Sequence, residues 1–465
     1  MRLDALQTKF VEEFLYGDTH MVLTGRAGTG KSTALCAAVK AAQAAKMKVL
    51  VMAPTAMAAS IHRDAGLESG TIHHALNWNP AKVPLSRKLL SACGVNIQWD
   101  AKPDRNRILV VDEASMVGLW LFEILACGID GRPFGGRRVV LVGDWAQLPP
   151  VVGGEEAGLA AMPELRRRFG PPDGCALFHR LFSARAPVAV VLEETHRANS
   201  EWFAKLNRLR DIEGPATLAD LGMNFKSESG DGIHLCFRRA VAHQRNAERM
   251  ASLPGRMHRI ALRDGEMVLR EGCEVIVTSN RAGDGYINGS RAVFAGTDAS
   301  GRVLLDDGVP ISMLADGNWS RSSGGNYEGD HQGGMKKAAW LRRVFGGVLE
   351  KDAVKWLWEI GQDQSQAAKF GDGRTTFQPY WPILPGYAIT VHKAQGMGLS
   401  SAIIEPDIFW RIAPARLPYV ALSRVSDEAD ISLSDRSITG MPVRPDPAYP
   451  PIINRLKTWA QAPKE

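Results

Sequence analysis

Short runs of consecutive apolar residues alternate with polar, helix-forming stretches over the first third of the chain. Four such runs are MVLTG, KVLVMAP, RILVVDEAS and RRVVLVGD, which begin at residues 21, 48, 107 and 137. Uninterrupted apolar runs of this length are typical of strands that helices cover on both faces. The Ala-rich segment 32–46 supplies one of these helices. The pattern therefore predicts an α/β domain built on a parallel sheet.

The same alternation resumes near residue 188 with APVAVVLEETHR and returns in GYAITVHKAQG and SSAIIEPD, which predicts a second α/β domain. Between these halves, CEVIVTSN, SRAVFAG and GRVLLDDG are short strands separated by glycine-containing turns, a pattern typical of a small barrel. The expected boundaries are 1–187 for the first domain with a hairpin insertion at 77–106, 188–264 and 381–440 for the second, 265–380 for the β-rich insertion and 441–465 for the tail. A helix around 452–460 of the tail is expected to pack against the body.

Composition places the 465-residue chain among globular proteins, with 45% hydrophobic residues and a formal net charge of +6. No apolar run is long enough for a membrane span, and the acidic, uncleavable start predicts no secretory signal. The six cysteines form no CxxC motif, which fits a reducing compartment such as the cytoplasm of a bacterial or phage-infected cell. Several basic clusters permit a polyanionic partner without requiring one.

The segment GRAGTGKS, from Gly25 to Ser32, fits the phosphate-loop pattern and lies where that pattern requires, between a strand and a helix. Glycines let backbone N–H groups face the phosphates, and the helix N-terminus adds partial positive charge. Lys31 can then reach the β- and γ-phosphates, and Ser32 can bind Mg²⁺. This loop predicts nucleotide binding but not its purpose.

Two adjacent acids, Asp112 and Glu113, end the predicted strand RILVV. Beside a phosphate loop, the first can hold Mg²⁺ and the second can polarise an attacking water. The alternative is that they cap the helix that follows. The next strand ends in GDWAQLPP, where Gln147 stands on a loop stiffened by Pro149 and Pro150. Loops at the carboxyl ends of parallel strands border one crevice, so Gln147 is predicted to contact the γ-phosphate and to report hydrolysis.

Together with these motifs, PFGG before the GDWAQ strand, LPG at 253–255, YAITVHKAQG and YVALSR resemble the helicases named for petite integration frequency. This family is related to RecD-like and Dda-like helicases in the 5′→3′ branch of superfamily one. The similarity runs from about residue 3 to residue 434, in the family's order. It implies two RecA-like domains with parallel sheets, a small hairpin insertion in the first and a small β-barrel insertion in the second.

The resemblance also implies roles for individual residues. Arg197 and Arg424 match the two arginines that reach the γ-phosphate from the second domain, although either could be an ordinary salt-bridge residue. Gln7 matches an adenine-reading glutamine; its alternative is a helical-surface position. The implied ATP-binding set is Gln7, Gly25, Arg26, Ala27, Gly28, Thr29, Gly30, Lys31, Ser32 and Thr33.

Contacts to single-stranded DNA are implied for Thr55 and His73 in the first domain and for His392 and Lys393 in the second. Hydroxyl groups and cations suit contacts to phosphates that do not depend on base sequence. Core packing is the alternative for either histidine. In the insertion, Trp78 and Trp99 could stack on bases or wedge the duplex, or could pack a small core.

Five positions depart from the family pattern: Ala56, Ala198, Gly398 and the pair Arg416-Leu417. The change at Ala198 could weaken nucleotide coupling, and that at Gly398 could weaken the grip on the strand. None removes a Mg²⁺ ligand, the lysine, the glutamate or a finger arginine, so a working ATPase is expected.

The sequence thus predicts an ATP- and Mg²⁺-dependent DNA helicase that travels 5′→3′ on single-stranded DNA and unwinds 5′-tailed duplexes. It is expected to act as a monomer away from membranes, with a single-strand-binding protein as a candidate partner. The alternatives are a DNA-stimulated translocase for recombination or protein displacement, and a scaffold in which ATP only sets the conformation. A nuclease is disfavoured because no second acid-rich cluster accompanies Asp112 and Glu113.

Overall fold

A computed structural model describes most of the chain. The described residues are 3–75, 107–118, 121–122, 125, 134, 137–150, 186–196, 200–227, 232–262, 265–278, 286, 289–306, 308–311, 381–405, 415–446 and 449–462. Among the helices in these ranges, none has the length and apolar character needed to cross a membrane.

The first domain is a six-stranded parallel sheet in the spatial order β3-β2-β4-β5-β1-β6. Its strands are β1 Met21–Gly25, β2 Lys48–Ala53, β3 Ser69–Thr71, β4 Arg107–Val111, β5 Val139–Gly143 and β6 Val188–Leu192. The helices of this half whose bounds the structure gives are α1 Ala5–Tyr16, α2 Lys31–Ala44, α3 Ala56–Asp64 and α4 Ile72–Ala75. Side chains of α1 and α2 share one buried apolar cluster with the sheet. The predicted parallel sheet is confirmed.

The predicted boundary at residue 188 is wrong by one strand. β6 pairs in parallel with β1, from Met21 opposite Val188 to Gly25 opposite Leu192, and so completes the first sheet. An apolar strand that follows a long connection looks like the start of a new unit, because sheet membership depends on pairing with a distant strand.

The second domain is a five-stranded parallel sheet in the order β17-β9-β18-β19-β8. Its strands are β8 Lys226–Ser227, β9 Ile233–Cys236, β17 Ala388–Thr390, β18 Ala402–Ile404 and β19 Ile431–Leu433. Its helices are α5 Ser200–Arg210, α6 Arg239–Ser252, α7 Val391–Ala394 and α8 Arg416–Leu422. A long insertion separates β9 from β17, yet the two strands are neighbours, as the two-part domain prediction requires.

The β-rich insertion contains an antiparallel sheet in the order β15-β14-β13-β12-β16 and a hairpin of β10 and β11 packed on the same core. The strands are β10 Met257–Leu262, β11 Gly265–Arg270, β12 Glu274–Val277, β13 Arg291–Thr297, β14 Val303–Leu305, β15 Val309–Pro310 and β16 Ile383–Pro385. This unit therefore begins before residue 265 and ends after residue 380, outside the predicted limits. Its closure into a barrel stays a prediction.

The tail connects the two domains. β20, Pro442–Val443, pairs with β7, Ala216–Thr217, beside the second domain. Helix α9, Tyr449–Gln461, then packs against β6 of the first sheet and buries Tyr449, Ile452 and Leu456. The tail helix packs against the body as predicted.

Candidate nucleotide site and nucleic-acid cleft

The P-loop, residues 25–32, leads from β1 directly into α2. Gly28 and Gly30 have φ angles of +82° and +75°, the left-handed region that favours glycine. A Cβ atom on Gly30 would also lie 2.4 Å from Nε2 of Gln7. The loop conformation and the close approach of Gln7 therefore both require glycine at position 30.

The ammonium group of Lys31 is folded across the P-loop. Its Nζ donates to the carbonyl oxygens of Gly25 at 2.9 Å and Arg26 at 3.0 Å. Burial lowers the pKa of Lys31 from its usual value, and the nearby charges of Asp144 and Glu113 oppose this shift. The lysine thus lies over the loop at a position where acceptors from a phosphate can replace the two carbonyls.

Gln7 is buried against the P-loop, with 2% of its surface exposed. Its Nε2 donates to the carbonyl oxygen of Thr29 at 3.2 Å, and its Oε1 accepts from the backbone N–H of Asp4 at 3.1 Å. The helical-surface alternative for Gln7 is wrong. Its role in reading adenine stays a prediction.

The acid pair follows β4 at the carboxyl edge of the first sheet. Asp112 Oδ2 lies 2.5 Å from Nε2 of His62, which extends from α3. Burial acts to lower the pKa of His62, but the hydrogen bond to Asp112 outweighs it and raises the pKa to about 9. Asp112 is thus held by a cation, as buried carboxylates usually require.

Glu113 occupies a left-handed conformation with φ of 48°, unusual for a residue other than glycine. It precedes a short 3-10 turn, Ala114–Met116, but its side chain makes no capping hydrogen bond to that turn. Burial, reinforced by Asp112, raises the pKa of Glu113 to about 7, although Lys31 and Arg424 act to lower it. A carboxylate with a pKa near neutrality is suited to accept a proton from water.

The sensor loop, residues 144–150, follows β5. Because β5 lies between β4 and β1 in the sheet, this loop is beside both the acid pair and the P-loop. Gln147 is 6% exposed, and its Oε1 accepts from Nε2 of Gln395 at 3.4 Å. Gln395 directly follows α7 of the second domain, so the predicted sensor amide already touches the opposite side of the site.

Arg424 comes from the second domain, just after α8. Its guanidinium group donates to the carbonyl oxygens of Val420 at 2.9 Å and Met397 at 3.3 Å and to Oγ of Ser423 at 2.9 Å. Its charge acts on the pKa of Glu113 across the seam, the surface between the two domains. Arg197 lies outside the described residues. The backbone N–H of its neighbour His196 donates to the carbonyl oxygen of Gly28 at 3.1 Å.

The sequence did not identify three residues that meet between the P-loop and the sensor loop. Asp144 is fully buried and accepts from Nη2 of Arg210 at 2.9 Å and from the hydroxyl of Tyr419 at 2.8 Å. The same hydroxyl accepts from the backbone N–H of Ala27 at 3.0 Å. Burial acts to raise the pKa of Asp144, but Arg210 and Lys31 outweigh it and hold the pKa below its usual value. Asp144 and Tyr419 lie inside motifs that the sequence singles out; Arg210 carries no such signal.

The residues implied in DNA contacts occupy separate places. Thr55 caps α3, and its Oγ1 accepts from the backbone N–H of Ala58 at 3.2 Å. His73 lies half-buried in α4, whereas His392 is exposed on α7, which makes core packing wrong for His392. Trp78 and Trp99 lie outside the described residues.

Lys393 and His392 line a cleft of about 700 Å³ between the second sheet and the β-rich insertion. We call it the basic cleft, because Arg239 and His243 of α6 add two more basic side chains to its wall. Trp381 contributes an aromatic ring. Sites that bind single-stranded nucleic acid typically combine basic side chains with an aromatic side chain.

The departures from the family pattern have different surroundings. Ala56 is buried as the first residue of α3. Gly398 is exposed, with open space where a Cβ would lie. Arg416 begins α8 and forms a buried ion pair with Asp446 of the tail, so this change serves to attach the tail. Ala198 lies outside the described residues.

Comparison with known proteins agrees with this arrangement. A family model described as an AAA domain matches residues 2–163. The chain is 26% identical over 464 residues to the ATP-dependent DNA helicase PIF7 of Trypanosoma brucei brucei, covering 89% of this chain and 44% of that protein. It is 25% identical to the human ATP-dependent DNA helicase PIF1, covering 91% of this chain and 59% of that protein. The chain spans about half the length of these curated relatives.

A shorter match, 34% identical over 141 residues, joins 30% of this chain to 17% of the ATP-dependent RecD2 DNA helicase of Deinococcus radiodurans. Among solved structures, Bacteroides Pif1 helicase in complex with ADP-AlF3 and single-stranded DNA has a TM-score of 0.64 at 19% identity, covering 98% of both chains. A structure of two coordinating Pif1 helicases at forked double-stranded DNA has a TM-score of 0.66 at 20% identity, again covering 98% of both chains. These likenesses show the fold of two RecA-like domains. The chain is therefore similar in sequence to Pif1 and RecD-like DNA helicases, and it shares the fold of the solved Pif1 structures.

Proposed function

We propose that this chain is an ATP-dependent DNA helicase that moves 5′→3′ along single-stranded DNA and unwinds duplex DNA. The observation that carries the proposal is the composition of the seam. The first domain brings Lys31, Glu113 and Gln147 to one crevice, and the second domain supplies Arg424 from the other side. Hydrolysis in such a crevice is coupled to the relative position of the two domains.

The residues of the crevice fit ATP and Mg²⁺. Ser32 is exposed at the start of α2, and Asp112 offers a carboxylate held in place by His62. These are the oxygen ligands that Mg²⁺ prefers. Ser32 and Asp112 would hold Mg²⁺ there, and the ion would supply positive charge that offsets the charge of the phosphates. Lys31 would bind the same phosphates, while the amides of the P-loop would hold them through backbone hydrogen bonds.

Glu113 would accept a proton from the attacking water, since its raised pKa allows it to act as a base near neutral pH. Gln147 would orient that water and would lose its contact when the γ-phosphate leaves. Arg424 would stabilise the charge that develops in the transition state. These roles link phosphate release to the sensor loop, and through Gln395 to the second domain.

The basic cleft would bind the strand on the second domain, and Thr55 and His73 would bind it on the first. Each time the two domains close and reopen, the DNA contacts of one domain would shift relative to those of the other. Duplex separation, 5′-tailed substrates, monomeric action and a single-strand-binding protein as partner belong to this proposal. So do roles in replication, repair or recombination and a location in the cytoplasm of a bacterial or phage-infected cell. The names of the relatives support the helicase part of it.

ATP turnover measured with and without single-stranded DNA tests the proposal, together with strand separation on 5′-tailed and 3′-tailed duplexes. DNA should stimulate turnover, and only the 5′-tailed duplex should be unwound. Strong stimulation without strand separation would indicate a translocase instead. DNA affinity should fall steeply with salt, because phosphate contacts release counterions. An ATP turnover rate that does not change when DNA is added, or a DNA affinity that does not change with salt concentration, would contradict the proposal.

The pH dependence of DNA binding tests the basic cleft. Burial, reinforced by the charge of Arg239, lowers the pKa of Lys393 to about 8. Lys393 is therefore charged below this pH and neutral above it. If the charged form binds a phosphate, affinity is present at pH 7 and falls as pH rises through the pKa, by up to about tenfold at pH 9.

Fluorescence anisotropy with an oligothymidine measures this effect at pH 7 and pH 9. Lys393→Arg keeps its charge at both pH values and should remove most of the difference. Lys393→Ala should also reduce the salt slope by about 0.7, the value for one phosphate contact on a single strand. Equal pH dependence in wild type and Lys393→Arg would exclude Lys393 from the DNA contact.

A further inference from the structure

One hydroxyl group joins the second domain to two loops of the nucleotide site. Tyr419 is completely buried in α8, in an apolar cluster that also contains Ala27 of the P-loop and Ala146 of the sensor loop. Its hydroxyl accepts from the N–H of Ala27 at 3.0 Å and donates to Asp144 at 2.8 Å. A single atom of the second domain therefore connects the P-loop with the sensor loop.

The carboxylate of Asp144, which accepts the hydrogen bond from Tyr419, is itself held in place by other side chains. Asp144, which carries the accepting carboxylate, is 0% exposed and is neutralised by Arg210 at the end of α5. The guanidinium carbon of Arg210 lies 4.7 Å from the ring centre of Tyr449 in α9, which packs on the first domain. A buried carboxylate that loses its partners is costly, so the Asp144 side has little freedom to move.

The same segment of chain holds the predicted arginine finger. The carbonyl of Val420, next to Tyr419, accepts from Nε of Arg424 at 2.9 Å. A short path therefore runs from the Ala27 N–H through Tyr419 and Val420 to the guanidinium group of Arg424. The position of α8 against the P-loop determines where that guanidinium lies relative to Glu113.

We infer that Tyr419 is a positioning residue for ATP hydrolysis: its hydroxyl sets the position of Arg424 and makes that position depend on the sensor loop. This inference rests on the proposed nucleotide site and deepens it. Loss of the hydroxyl leaves the phosphate-binding groups in place but releases α8 from the P-loop. The rate of the chemical step should therefore fall, whereas the affinity for nucleotide should stay close to that of the wild type.

Tyr419→Phe tests the inference, because it removes one oxygen atom and keeps the ring. We expect kcat for ATP to fall by about 10- to 100-fold, the range for a catalytic group displaced by a fraction of an ångström to one ångström. KM for ATP and the affinity for a fluorescent ADP analogue should change by less than about threefold, since the substitution removes no predicted phosphate contact. All assays are run well below the lowest melting temperature of the variants, so that unfolding does not contribute.

A double-mutant cycle with Arg424→Ala separates positioning from general destabilisation. If Tyr419 acts through Arg424, adding Tyr419→Phe to Arg424→Ala should cost little further turnover. Equal fold-losses in both backgrounds would overturn the inference, as would unchanged kcat in Tyr419→Phe. Tyr387→Phe is the matched control: its hydroxyl also accepts one backbone N–H, from Glu274 at 2.9 Å, but in the β-rich insertion. It should leave kcat at the wild-type value.

The test uses unstimulated turnover, so it is independent of DNA. A wild-type protein that hydrolyses ATP but does not respond to DNA would contradict the helicase proposal and leave the Tyr419 comparison intact. Wild-type turnover that responds to DNA, combined with an unaffected Tyr419→Phe variant, would overturn only the inference.

Discussion

Replacing Arg424 with alanine is expected to lower the rate of ATP turnover by about 10³-fold or more while nucleotide still binds. The guanidinium is held by Val420, Met397 and Ser423 and acts electrostatically on Glu113 across the seam. A cation supplied by the opposite domain stabilises the transition state more than the bound substrate, so the loss falls on kcat. Steady-state turnover and equilibrium binding of a fluorescent ADP analogue measure the two effects separately.

Two further variants serve as comparisons for Arg424→Ala: a conservative substitution at the same position and a control at another arginine. Arg424→Lys keeps the charge but cannot reproduce the planar set of donors, so it should recover only a small part of the rate. Arg270→Ala removes an arginine that also donates to two carbonyl groups, those of Met250 and Gly255, far from the seam, and should leave turnover unchanged. If Arg424→Ala turns over ATP at the wild-type rate, the second domain does not complete this site.

The P-loop, the acid pair and the sensor loop could be predicted because their constraints are local. Each motif is a short segment whose spacing places a side chain at the carboxyl end of a strand. In a parallel sheet these ends lie at one edge. The sequence therefore predicted which loops of the first domain meet, and the observed order β4-β5-β1 agrees.

Contacts between distant segments of the chain could not be predicted from the sequence. Asp144 and Tyr419 are 275 residues apart, and Asp144 and Arg210 are 66 apart. An arginine at a helix end looks like a solvated charge, and only the packed structure shows that Arg210 is buried against Asp144. His62 was missed for the same reason, because its position in α3 gives no indication of its partner Asp112, 50 residues later. The family resemblance supplied Arg424, which no spacing rule connects to the P-loop.

Replacing Lys31 with alanine is expected to reduce ATP turnover by about 10³-fold or more and to abolish unwinding, since the β- and γ-phosphates lose their main cation. DNA binding without nucleotide should remain close to wild type. The basic cleft is lined by residues of α6, α7, β11, β16 and β17 together with Thr278 and Trp381, and none of these residues belongs to the P-loop.

Anisotropy with an oligothymidine and ATPase assays on the same preparation compare the two functions of the Lys31→Ala variant. Stability should change little, because within the described part of the chain Lys31 donates to two carbonyls of its own loop and burial already disfavours its charge. Lys205→Ala, which removes a lysine paired with Glu428 in the second domain, controls for loss of one positive charge. A Lys31→Ala protein that is folded but loses DNA binding to the same extent as ATP turnover would show that ATP and single-stranded DNA share one site. Two separate sites require that the strand stays bound when the nucleotide can no longer be hydrolysed.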